Sequence, residues 1–112
     1  MAGKRRFETR IFELHARVCK MLSHPKRLEI IDLLRGGRTF SVSDIAQRLG
    51  VTNANASQHL AMMRQQHIVT TRRDGVTIRY SLADPKIITA YDALRKILQR
   101  QLASDGKLLK KF

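Results

Sequence analysis

The sequence is short of aromatic residues, acidic residues and cysteine, and each shortage removes a class of explanation. Tryptophan is absent, and the ring-bearing apolar residues are two tyrosines and four phenylalanines. Any core must therefore be built mainly from Leu, Ile, Val, Met and Ala. Acidic residues number 9 against 22 lysines and arginines, a formal net charge of +13. The few carboxylates are scattered and suit helix caps and surfaces, with no paired set for acid–base work. No nucleophile–base set and no phosphate-cradling glycine loop stands out, so the expectation is not an enzyme, and no cofactor site is legible. Cysteine occurs once, as Cys19, which excludes an intrachain disulfide and fits a reducing compartment. No apolar run approaches the length needed to cross a bilayer. The basic start, MAGKRRFETR, is not followed by the apolar stretch of a secretory signal. The expected location is the cytoplasm, with no membrane partner.

What is present is enough for one domain. The chain has 112 residues, of which 43% are apolar. A domain of this size buries a limited share of its surface, and pairing with a second copy would bury more. The basic excess is spread along the chain: 9 basic and 4 acidic residues in 1–35, 6 and 2 in 36–83, and 7 and 3 in 84–112. Such a balance suits a polyanionic partner, of which nucleic acid is the usual one.

The periodicity predicts a mainly α chain with one β-hairpin, in the order ααααββα. Residues 1–6 read as a basic tail, 7–103 as the folded domain and 104–112 as a second basic tail. From Phe7 apolar residues recur at helical spacing through Ile11, Leu14, Val18, Met21 and Leu22. Phe12, His15 and Cys19 mark a second face, so this helix is expected to meet two surfaces. Pro25, preceded by Ser23 and His24 as candidate caps, starts a second helix that should bury Leu28, Ile31 and Leu34, with Ile30 and Leu33 beside them, and stop at Gly36-Gly37. Val42–Leu49 predicts a short third helix, broken by Gly50. Thr52 caps a fourth, reaching about Gln66, with Ala56, Leu60 and Met63 inward. The period then becomes alternating over Val69–Arg72 and Val76–Leu82, around an Asp74-Gly75 hairpin signal. Asp84-Pro85 opens a last helix whose apolar stripe, Ile87 to Leu102, is wide enough to suggest a partner surface.

A short helix, a glycine-containing turn and a second helix with a polar N-terminus make a helix-turn-helix. The second helix of such a pair enters the major groove. Here it offers Thr52, Asn53, Asn55, Ser57, Gln58 and His59. Ala54 and Ala61 permit close approach, and the amides of Asn55 and Gln58 can bond bidentately to adenine edges. The hairpin adds Arg72, Arg73 and Arg79 as a wing, and Arg38 and Arg64 can clamp flanking phosphates. Each residue taken singly also reads as an ordinary solvated surface group. The combination points to a winged helix-turn-helix.

Leu22-Ser-His-Pro-Lys-Arg-Leu-Glu-Ile-Ile-Asp-Leu-Leu34 resembles the second-helix signature of the ArsR/SmtB family of winged-helix repressors. Ser43-Asp-Ile-Ala-Gln-Arg-Leu-Gly-Val-Thr52, continuing through Ala56-Ser-Gln-His-Leu60, is similar to that family's DNA-reading unit, and Tyr80–Pro85 to the entry of its last helix. The resemblance covers about residues 8–102. It implies a homodimer joined through the first and last helices, binding a pseudo-palindromic double-stranded DNA operator and repressing transcription until an inducer releases it. The family's sensors are not carried over. Ser41-Val42-Ser43 stands where metal-sensing members have Cys-Val-Cys, and hydroxyls are poor ligands for soft metals. The last-helix Asp, His, His, Glu set is matched by Asp84, Lys86, Ile97 and Arg100. The second-helix cysteine of sulfur-sensing members falls at Asp32. His15 and Cys19 share one side of the first helix. Across a dimer they are candidate sensor residues, for zinc or for oxidation, or Cys19 is a small hydrophobe at the seam.

Overall fold

A computed structural model describes the backbone of residues 2–105 and the side chains of residues 6–105. The elements are α1 (Ala2–Met21), α2 (Pro25–Leu33), a 3-10 turn (Arg35–Gly37), α3 (Val42–Leu49), α4 (Asn53–Gln65), β1 (Val69–Asp74), β2 (Thr77–Leu82) and α5 (Lys86–Asp105). The predicted order holds. The first helix begins at Ala2 and not at Phe7, so the expected N-terminal tail is helical over residues 2–6. Of the expected C-terminal tail, Ser104 and Asp105 complete α5 and residues 106–112 lie outside the described residues.

The core is a three-helix cluster closed by the hairpin. Ile30, Ile31 and Leu34 meet Ile45 and Ala46 of α3, Ala56, Leu60 and Met63 of α4, and Ile68 and Val69 at the hairpin entry. In α2 and its C-cap, Ile31 and Leu34 are buried as expected, but Leu28 is exposed and Ile30, expected beside the buried stripe, takes its place in the core. With apolar residues at 28, 30, 31, 33 and 34, the nine-residue helix has no single apolar stripe, so packing and not periodicity chooses its face.

Local chemistry fixes the helix ends. His24 is the cap of α2, its Nδ1 accepting from the Lys26 amide at 3.2 Å, with Pro25 at the first helical position. Ser41 caps α3 and Thr52 caps α4 through side-chain oxygens. At the end of α3, Val51 N–H donates to Ala46 C=O and Gly50 N–H to Gln47 C=O. This double closure requires a left-handed residue between helix and turn, and Gly50 supplies it at φ +68°. The same closure ends α4 through Ile68 to Met63 and His67 to Arg64, but there His67 takes the left-handed position at φ +59°.

In the hairpin, Val69 pairs with Leu82, Arg72 with Arg79 and Asp74 with Thr77. The tip is therefore Gly75-Val76, one step beyond the expected Arg73-Asp74-Gly75 loop. Gly75 has φ +61° and Val76 does not share the positive sign, the sign pattern of a II′ hairpin turn. Phe40 exchanges both backbone hydrogen bonds with Tyr80, at 3.1 and 2.8 Å, adding a one-residue bridge that sequence reasoning missed.

The outer helices are barely buried. Met21 is the one described residue of α1 that is fully in the core, and α5 has none, although Val18 of α1 and Ile87, Ile88 and Tyr91 of α5 pack against it half-buried. Phe7, Ile11 and Phe12 on α1 and Leu94, Ile97 and Leu98 on α5 are at least half or nearly half exposed. The radius of gyration is 16.6 Å, above the roughly 13 Å of a compact chain of this length. An ion cluster fastens α5 to the body: Arg35 bonds Asp32 and Asp92, and Arg95 bonds Asp32 and the Tyr91 hydroxyl. No helix among the described residues is long and apolar enough to cross a membrane.

Candidate nucleic-acid interface

The α3–turn–α4 unit sets α4 with one apolar and one polar side. Ala56, His59, Leu60 and Met63 are buried. The opposite line, Ala54, Gln58, Ala61 and Gln65 at helical spacing, is exposed, with Asn55 and Ser57 beside it. The side chains of Asn55, Ser57 and Gln58 are in no hydrogen bond of the described structure, and alanines before and after Gln58 keep the surface low around its amide. No acidic residue occupies the first turn of α4, so the positive end of its dipole is uncompensated and suits a phosphate.

Three expected reading residues have other work. Thr52 Oγ1 accepts from the Asn55 amide at 3.1 Å as the helix cap. Asn53 donates its amide to Ser43 Oγ at 3.2 Å, tying α4 to α3. His59, expected to face DNA, is instead 7% exposed. Its ring lies on the inward stripe, with Nδ1 accepting from Arg27 Nε at 3.1 Å and the His24 ring 4.5 Å away, edge to face. Burial, then the nearby His24 and Arg27, push its pKa down. The signal was available, since position 59 falls three after Ala56 and four before Met63. Arg27 itself was overlooked.

The wing is less basic than its three arginines imply. Arg79 Nε pairs with Asp74 at 3.2 Å, whereas Arg72 and Arg73 are exposed and make no ion pair among the described residues. Strand alternation puts Arg72 and Arg79 on one face and Arg73 on the other. Arg38 and Arg64 are likewise exposed. His15 and Cys19 are both exposed on α1. Among the described residues no group of three or more His, Cys, Asp or Glu side chains is placed to hold a metal.

A family profile described as a helix-turn-helix domain matches residues 22–72. An uncharacterised HTH-type transcriptional regulator of Mycobacterium tuberculosis is 36% identical over 94 residues, covering 83% of this chain and 82% of the relative. The chain belongs to the ArsR-type winged helix-turn-helix family of transcriptional regulators. It is also 37% identical over 86 residues to a biofilm growth-associated repressor of Xylella fastidiosa, covering 77% of this chain and 75% of that one. Among solved structures, a Mycobacterium bovis domain superposes with a TM-score of 0.78 at 26% identity, covering 85% of this chain and 87% of the other. That domain is described as the homodimeric winged helix-turn-helix DNA-binding domain of a candidate ArsR-family regulator.

Proposed function

We propose that this protein is a sequence-specific double-stranded DNA-binding regulator that represses transcription from a pseudo-palindromic operator as a homodimer. The observation that carries this reading is the outward face of α4, where unpaired Asn55, Ser57 and Gln58 stand between small residues beside a wing with two free arginines. Gln58 reads base edges, and Arg72, Arg73, Arg38 and Arg64 hold phosphates. The second copy covers the apolar faces of α1 and α5, setting two α4 helices a DNA turn apart. The M. bovis neighbour, described as homodimeric, and the Xylella repressor support both parts. The protein works in the cytoplasm, where its DNA is, and the reading assigns it no catalysis.

Selection of bound duplexes from a random-sequence pool, followed by footprinting, tests the proposal. The expected result is a two-half-site motif bound roughly 10³-fold or more above random DNA. Tight, salt-sensitive binding without sequence preference would instead make the protein an architectural nucleic-acid binder, as its charge of +13 also permits.

A further inference from the structure

The pair formed by half-buried Arg27 and buried His59 lies where three helices with different tasks converge. Arg27 belongs to α2. Its Nε donates to His59 Nδ1 of the reading helix at 3.1 Å, and its Nη1 donates to the Met21 carbonyl, the last residue of α1, at 2.8 Å. Arg27 makes no ion pair among the described residues. Two N–H groups of a half-buried cation therefore go to one ring nitrogen and one helix-end carbonyl. Both contacts are directional, because the guanidinium is a planar fork.

We infer that Arg27 is a positioning residue for DNA reading, fixing the angle of α4 against the end of the dimer helix α1, and that the clamp holds only while His59 is neutral. The inference rests on the DNA-reading role proposed for α4. A nitrogen that accepts from Arg27 carries no proton, so His59 is the Nε2–H tautomer. Protonating Nδ1 replaces the acceptor with a donor aimed at a guanidinium. The groups acting on the ring are Arg27 and His24, both from the start of α2, and α1 contributes only the Met21 carbonyl held by Arg27. No carboxylate among the described residues acts on the ring to offset a second positive charge. The sign follows: the unfolded chain takes up this proton more readily than the folded one, so the clamp's contribution is present above the ordinary histidine value. It is lost as pH falls toward the depressed His59 value.

The test uses full-length protein and a duplex of about 30 base pairs selected by the wild type, long enough for two half-sites a helical turn apart. The readout is the ratio of affinities for this duplex and for a scrambled one, measured from neutral pH down to the lowest pH at which the protein stays folded and dimeric. The wild-type ratio should fall about tenfold, as expected for losing a hydrogen bond to a charged group. His59→Asn keeps an acceptor at the Nδ1 position without a titrating group, and its ratio should stay flat. Arg27→Lys, which keeps the charge but not the fork, should lower the ratio at neutral pH while helical content and dimerisation are retained. A parallel fall in His59→Asn, or an unchanged ratio in a folded Arg27→Lys, overturns the inference. Should the wild type select no sequence, the DNA-reading proposal fails instead. The clamp is then judged by the nitrogen resonances of His59, which must show an Nε2–H ring titrating below the ordinary histidine value. A protonated Nδ1 or an unshifted titration overturns it there.

Discussion

Arg35 holds Asp92 through both terminal guanidinium nitrogens, at 3.0 and 3.2 Å, across 57 residues of chain. This contact joins the turn after α2 to the middle of α5, a helix with no buried residue of its own. The hydrogen bond from Arg35 is the largest cause holding the Asp92 carboxyl below its ordinary value. The unfolded chain thus binds that proton more readily. The stabilisation is in place at neutral pH and is lost as pH falls through the carboxylate range toward the depressed Asp92 value. Arg35→Gln should therefore dissociate and lose helicity at a higher pH than wild type in an acid titration followed by circular dichroism and sedimentation. Coincident curves would mean that the pair, which is about 40% exposed on each side, is too well screened to matter.

Gln58→Ala should relax sequence preference. An amide bonded to a base edge contributes about 1–3 kcal/mol of discrimination. Competition between operator and scrambled duplexes should show that loss with little change in nonspecific affinity. Retained preference would move the reading role to Asn55 or Ser57.

The wing should act through charge alone. Arg73→Ala is expected to weaken binding to all duplexes alike and to reduce the slope of affinity against salt by about one. Arg79→Ala should do less, because its guanidinium is already paired with Asp74. Asp74→Asn should do the reverse of Arg73→Ala, releasing Arg79 and strengthening binding to any sequence. A salt titration of the three variants decides the order.

Leu98→Glu places a carboxylate on the exposed apolar face of α5, where Leu98 is 48% exposed in the protomer. Sedimentation should find a monomer that keeps its helical content and no longer binds the two-half-site duplex. A dimer of normal affinity would exclude this face as the seam.

His67 adopts φ +59°, a left-handed conformation that costs a residue with a side chain about 1–2 kcal/mol. His67→Gly removes that cost but adds unfolded-state freedom of about 0.5–1 kcal/mol. A small net gain is expected, read as a rise of a few degrees in the thermal midpoint.

Much of this architecture could be read from the residues. Pro25, Gly50, Thr52 and the Asp84-Pro85 pair marked helix boundaries because each has a specific backbone preference, and the change of period after Gln66 announced the hairpin. The misreadings came where one-dimensional spacing does not decide. The nine residues of α2 are apolar around much of their circumference, so Leu28 looked as suitable for the core as Ile30. At the wing, Asp74-Gly75 signalled a tight turn correctly, but the pairing that keeps Val69 and Leu82 on the core side puts the bend at Gly75-Val76. The polar face of α4 was legible in outline. His59 was misplaced because a histidine beside Gln58 looks like another solvent group until its partner, Arg27, is brought to it from 32 residues away. The Arg35–Asp92 pair joins charges that nothing in either local pattern connects.

The sparse burial of α1 and α5 has a consequence for dosage. Two protomers must meet before the operator can be gripped at both half-sites. While most chains are monomeric, the amount of binding-competent species rises with the square of their concentration. Doubling expression would then raise the gripping form nearly fourfold, and repression would switch over a narrower range of abundance than a single-chain reader of equal affinity allows.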